Sequence, residues 1–150
     1  MTATPPEPPD PRLLPVRRHV EHADTDASGV MHFARYPALL EVALLANLER
    51  LGVGLGVLAR EGYDLVITEA TTRYRAPARY PDELSLRPVV GHLGAARARV
   101  DTTIQRAADG AELAIGSLVV ALTDRVTGAP RALLPALHAA LKESRSDVRR

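Results

Sequence analysis

The longest regular pattern in the chain is helical. From about Phe33 to Leu51, apolar residues recur at Tyr36, Leu39, Leu40, Ala43, Leu44, Leu48 and Leu51, the spacing of one helix. Pro37 falls in the first turn, where its missing N–H removes no hydrogen bond, and Gly52 supplies a stop. Projected at about 100° per residue, the apolar positions cover most of the circumference, so the helix is expected to be buried on several sides. Glu41 lies among Leu44, Leu45 and Leu48 on that projection and is expected to be partly buried, with a partner. The Gly52–Gly56 stretch reads as a flexible connection.

Beyond Gly62 the period changes to two. Leu14 to Glu21 reads as a first strand, and Leu65 to Ala76 and Glu83 to Val90 as the next two. The clearest alternation sets Ala96, Ala98, Val100, Thr102 and Ile104 against Arg97, Arg99, Asp101, Thr103 and Gln105. Asp109-Gly110 marks a hairpin turn, and Leu113 to Leu122 returns as a nearly continuous apolar strand. Thr127-Gly128 turns the chain again, and Leu133 to Leu141 reads as a short terminal helix. One long helix followed by antiparallel strands predicts an α+β fold, a sheet wrapped around a buried helix.

Length and charge narrow the function. The 150 residues suit one domain, read as residues 13–145 between a Pro-rich tail (1–12) and a charged tail (146–150). The net charge of +1 argues against nucleic acid or an anionic membrane as the main partner. No apolar run is long enough to span a membrane, and a cytoplasmic location is expected. The chain has no cysteine, which removes thiol nucleophiles and thiolate metal sites. No cofactor fingerprint, Walker loop or Gly-x-Ser-x-Gly elbow is present. His19 and His22 lie three apart in an extended segment and point to opposite faces, so no metal pair is expected.

The chemistry concentrates in Asp24-Thr25-Asp26-Ala27-Ser28-Gly29-Val30-Met31-His32-Phe33. This loop sets carboxylates just ahead of a helix start, where backbone N–H groups lack intrahelical partners. A carboxylate beside such a donor can hydrolyse an ester or thioester without a serine or cysteine nucleophile. Asp and Gly ahead of a helix are equally ordinary cap and turn chemistry. Asp26 is the first candidate for the catalytic carboxylate, with Asp24 as competitor, and His32 is placed to orient substrate or donate to a carbonyl oxygen. Gly29, Val30 and Tyr36 complete the candidate substrate surface. Arg73, Arg75, Arg79, Arg97 and Arg99 are cations on strand faces, either solvated surface or contacts for the phosphates of a nucleotide-bearing thioester.

These residues resemble a known family. Asp24-Thr-Asp-Ala-Ser-Gly-Val-Met-His-Phe-Ala-Arg-Tyr36 is similar to the signature of hotdog-fold thioesterases of the 4-hydroxybenzoyl-CoA thioesterase type. Glu41-Val-Ala, Tyr74-Arg-Ala-Pro-Ala-Arg-Tyr-Pro-Asp-Glu-Leu84 and Thr127-Gly-Ala-Pro-Arg131 are similar to three further family segments, in order, across Val16 to Leu134. The resemblance implies a curved sheet around a central helix, paired dimers (a homodimer or homotetramer) and an active site at the dimer interface. It assigns the catalytic carboxylate to Asp26 and the carbonyl's hydrogen-bond donor to the Phe33 backbone N–H. His32 and Arg35 depart from the family's usual Tyr or Trp and Asn or Ser, which affects the acyl side. The expected activity is hydrolysis of an acyl-CoA or acyl-carrier-protein thioester, with no cofactor. The alternatives are a non-hydrolytic module that binds an acyl or polyketide thioester, and, ranked last, dehydration of a hydroxyacyl thioester.

Overall fold

The helical stripe forms α1 (Tyr36–Arg50), entered through a 3-10 turn at Phe33–Arg35 and ended at Leu51, with Gly52 at φ 79°. That left-handed φ is one only glycine adopts without a Cβ clash, so the predicted stop holds. The computed structural model describes residues 2–148. Met1, Arg149 and Arg150, the ends of the two expected tails, lie outside the described residues.

α1 buries Tyr36, Leu40, Ala43, Leu44, Asn47 and Leu48, a single stripe at spacings of three and four. Ala38, Glu41, Ala46 and Glu49 are exposed, so burial on several sides is corrected to burial on one face of the single chain. Glu41 therefore sits in solvent, with no hydrogen bond or ion pair among the described residues. The helical projection failed there because Leu39, Val42 and Leu45 are only half-covered and shield nothing beside them. The polar residue α1 does bury is Asn47. Its amide accepts from Leu14 N–H at 2.7 Å and donates to the carbonyls of Leu14 and Ala43 at 3.0 and 2.8 Å. Arg50 donates to the carbonyls of Asp10 and Arg12, so the chain from Asp10 onward is fastened along α1.

A short helix, α2 (Leu55–Arg60), occupies what reads as a flexible connection. At its start the chain passes close to α1: a Cβ on Gly54 would lie 3.1 Å from the Glu49 Cα.

The strands are β1 (Val16–His19), β2 (Tyr63–Tyr74), β3 (Glu83–Leu93), β4 (Arg97–Arg106), β5 (Glu112–Asp124) and β6 (Pro130–Arg131). All pairs are antiparallel, in the order β1-β3-β4-β5-β2 with β6 on β5, and the sheet curves around α1. Ala98, Val100, Thr102 and Ile104 of β4 are buried while Arg97 and Arg99 are exposed, as the alternation requires. β5 is two-faced despite its apolar run: Ala114, Gly116, Leu118, Val120 and Leu122 are buried and Ile115, Ser117, Val119 and Ala121 are half-covered. At Gly116 the helix presses so close that a Cβ would overlap both Leu40 methyls. The hairpin and the second turn form with Gly110 at φ 71° and Gly128 at φ 72°. In the second turn the N–H groups of Thr127 and Val126 hold the Asp124 carboxyl below its ordinary range. α3 (Pro135–Val148) is longer than the Leu133–Leu141 helix the pattern predicts, and runs into the segment read as a charged tail. No helix among the described residues is long and apolar enough to cross a membrane.

β2 forms one border of the sheet and, among the described residues, pairs only with β5. Twelve residues long, it leaves the Ile67–Thr71 stretch exposed. A long open edge of this kind offers unpaired N–H and C=O groups to another strand.

Candidate active site

The loop after β1 separates its two carboxylates. Asp24 Oδ2 accepts from Glu21 N–H at 2.9 Å, and Arg35 Nε lies 2.9 Å from Asp24 Oδ1. With its side chain only 16% exposed, Asp24 holds the loop to the helix start. Asp26 is exposed; its Oδ1 accepts from Ser28 N–H at 2.8 Å and its Oδ2 has no partner among the described residues. The turn role foreseen for Asp26 thus takes one oxygen and leaves the other open. The loop closes through Asp26 N–H to the Val30 carbonyl at 2.9 Å, Gly29 N–H to the Asp26 carbonyl at 3.0 Å, and a Thr25–Met31 bridge. Gly29 turns it at φ 80°, a value a side chain rarely tolerates.

At the helix start the backbone donors are nearly all taken. His32 N–H donates to the Asp24 carbonyl at 2.8 Å and Arg35 N–H to the His32 carbonyl at 2.9 Å. Ala34 N–H donates to His32 Nδ1 at 3.1 Å. Between them, the Phe33 N–H has no acceptor among the described residues. The peptides on both sides are fixed: the His32 carbonyl is held by Arg35 N–H, and the Phe33 carbonyl accepts from Tyr36 N–H and from the Tyr74 hydroxyl at 2.9 Å. His32 acts as cap for this turn, which leaves its neutral ring proton on Nε2, and it stacks on Phe33 at 4.6 Å.

Beside Phe33 lies a cleft of about 290 Å³, lined by Val30, Tyr36, Tyr74, Arg75 and Pro77 among others. The Tyr36 and Tyr74 rings meet edge to face at 5.0 Å, and burial pushes the Tyr36 phenol above its ordinary range. Tyr74 is a site residue that sequence reasoning missed. It stood inside the Tyr74–Leu84 motif, but no local pattern tells that its hydroxyl reaches back to Phe33.

On the other side of the loop a hollow of about 540 Å³ is lined by His22, Thr25, Asp26, Gly29 and Tyr80. Candidate residues therefore fall into two groups: Val30, Phe33 and Tyr36 in the cleft, and Asp26 and Gly29 in the hollow. Neither of these two concavities holds both Asp26 and Phe33. The β2–β3 connection is locked against the loop through Met31 N–H to the Ala78 carbonyl at 2.8 Å. Arg106 steadies that connection through Asp82 at 3.3 Å and the Pro77 carbonyl at 3.2 Å.

The arginines also divide. Arg79 sits in the β2–β3 connection, bridged to Val30, and not with the others on the sheet. Arg97 and Arg99 lie on the outer sheet face, away from α1, with Arg73, Arg75 and His92 around a floor of Ile115 and Val119, in a hollow of about 770 Å³. Arg99 is paired with Asp101 at 3.1 Å, whereas Arg73 and Arg97 have no partner among the described residues. Arg75 lines both this hollow and the cleft beside Phe33.

The profile of the thioesterase-like superfamily matches residues 20–141, a span from the end of β1 into α3. No curated protein sequence matches the chain. Among solved structures, a DHNA-CoA thioesterase from Staphylococcus aureus superposes with TM-score 0.83 at 20% identity, covering 91% of this chain and 93% of its own. A 1,4-dihydroxy-2-naphthoyl-CoA thioesterase from Synechocystis gives 0.80 at 22%, covering 86% and 95%. A hypothetical protein from Staphylococcus aureus, solved in complex with CoA, gives 0.84 at 16%, covering 90% and 85%. At these identities the likeness is one of fold, the hotdog arrangement of a curved sheet around one long helix.

Proposed function

Because the chain belongs to the thioesterase-like superfamily, we propose that it hydrolyses an acyl thioester of coenzyme A or of an acyl carrier protein to the free acid. The observation that carries this most directly is the Phe33 N–H, which has no acceptor among the described residues and whose peptide is held at the His32 carbonyl by Arg35 N–H. A preorganised donor of this kind stabilises the oxyanion that forms when the thioester carbonyl becomes tetrahedral. Asp26, with one oxygen open, acts as general base on water or as nucleophile on the carbonyl carbon. The names of the CoA thioesterases that share the fold, and the relative solved with CoA, support CoA as the thiol carrier.

We further propose that the working unit is a homodimer or a homotetramer. The Phe33 cleft opens at the end of β2 by Tyr74 and Arg75, next to the open edge of the sheet. A second copy paired along that edge covers the cleft and supplies the surface a single chain lacks between Phe33 and a carboxylate. Light scattering at micromolar concentration is expected to give at least a dimer. A fully active monomer would refute the shared site.

Arg97 and Arg99 are proposed to hold the phosphates of the carrier. A screen of acyl-CoA, acyl-carrier-protein and acyl-pantetheine thioesters tests both levels of the proposal at once. The protein is expected to turn over at least one CoA or carrier-protein thioester. The Arg97→Gln/Arg99→Gln double variant is expected to lose about tenfold in kcat/KM for the CoA thioester relative to the pantetheine thioester, since both arginines are exposed and screened ion pairs contribute up to about 1 kcal/mol each. Binding without turnover across the screen identifies the non-hydrolytic module instead.

A further inference from the structure

We propose that His22 relays the proton that Asp26 collects during hydrolysis, an inference that rests on the thioesterase reading above. His22 opens a 3-10 turn, His22–Asp24, and its backbone is tied down. Its carbonyl accepts from Thr25 N–H at 3.1 Å and from the Thr25 hydroxyl at 2.7 Å. Its imidazole makes no hydrogen bond or ion pair among the described residues and is exposed. The ring meets Tyr80 edge to face, with centroids 5.9 Å apart.

The surroundings give that free ring a use. His22 and Asp26 line the same hollow, and Asp26 carries an oxygen that no group among the described residues satisfies. The other charged groups near by are committed to each other: Asp24, on the same turn as His22, faces Glu21 N–H and Arg35. Tyr80 is the remaining titratable group facing the hollow, and its hydroxyl has no partner among the described residues. His32 does not serve this side, because its Nδ1 caps the helix start and its ring stacks on Phe33, which lines the other cleft. His22 thus lines the hollow that holds Asp26, while His32 is held against Phe33.

The proton has to go somewhere for the cycle to close. Water adds its oxygen to the thioester carbonyl carbon and gives one proton to the Asp26 carboxylate. Collapse of the tetrahedral species breaks the C–S bond, and the thiolate leaves with the electron pair. The second water proton stays on the carboxylic acid product. His22 takes the proton from Asp26 at one ring nitrogen and releases one from the other, to the thiolate. An imidazole suits this because it has two distinct nitrogens, one to accept a proton and the other to release one.

The test uses His22→Ala and His22→Gln in the full-length protein, with whichever thioester the wild type turns over best. Both variants are expected to lose kcat by about 10²-fold, the low end for loss of an acid–base group, with KM within about threefold and the melting temperature unchanged. Imidazole added at tens of millimolar is expected to restore a substantial part of kcat to His22→Ala and none to Asp26→Asn. Wild-type kcat in both variants would overturn the relay while leaving the thioesterase reading intact. So would a loss that imidazole does not rescue, or one that comes with a lowered melting temperature, because a structural role gives that pattern. A wild type that hydrolyses no thioester would overturn relay and thioesterase reading together.

Discussion

Asp26→Asn is expected to lower thioester hydrolysis by at least about 10²-fold while leaving the melting temperature where it is. The substitution keeps an oxygen at the Oδ1 position for Ser28 N–H, so the loop keeps its turn, and removes only the charge and the basicity. Asp24→Asn is expected to behave in the opposite way. It loses the ion pair with Arg35, whose guanidinium is more than half exposed, and weakens the contact to Glu21 N–H. A cost of about 1 kcal/mol is the scale for a partly screened pair, read as a small fall in melting temperature with most of the turnover kept. If Asp24→Asn abolished turnover and Asp26→Asn left it near normal, the catalytic assignment within the loop would be reversed.

The contrast between these two acids shows what a sequence carries and what it leaves out. That a carboxylate sits on a Gly-turned loop ahead of a helix is local information, and residues 24–33 display it in full. Which of the two acids is left free depends on Arg35, eleven residues beyond Asp24, reaching back from the first turn of the helix. The strands and turns were legible for the same reason the loop was. Alternation at Ala98, Val100, Thr102 and Ile104, and glycines at positive φ in residues 110 and 128, are properties of a few neighbouring residues.

What the sequence hid is set by packing between distant segments. Glu41 reads as buried because apolar residues surround it on the helix, yet the sheet covers only the stripe through Leu40, Leu44 and Leu48. Asn47, which no apolar count singles out, is the buried polar residue of α1 because Leu14 crosses it with both backbone groups exposed. Gly54 reads as a flexible joint and is a close approach of two helices instead. The partition of the candidate site into two hollows has the same origin. Loop and connection are bridged at Val30 and Arg79, with Asp26 lining one hollow and Phe33 the other.

Phe33→Pro isolates the other half of the proposed chemistry, the backbone donor. Proline removes the N–H and nothing else from the main chain. The site accepts it well, since His32 ahead of it is extended at φ −60° and ψ 137°, as a residue before proline should be. Phe33 is also the first residue of its turn, where no intrahelical bond is lost. The hydrogen bonds from Ala34 and Arg35 to His32, and from Tyr74 to the residue 33 carbonyl, are kept. The phenyl ring goes too, and it is 66% exposed, so its packing loss is small. Phe33→Ala measures that loss alone, because alanine keeps the N–H. Phe33→Pro is expected to cut kcat by about 10²–10³-fold relative to Phe33→Ala, the effect of deleting one oxyanion donor, with similar melting temperatures in the two variants. Equal turnover in the proline and alanine variants would show that the carbonyl oxygen takes its stabilising hydrogen bond from a group other than the Phe33 backbone.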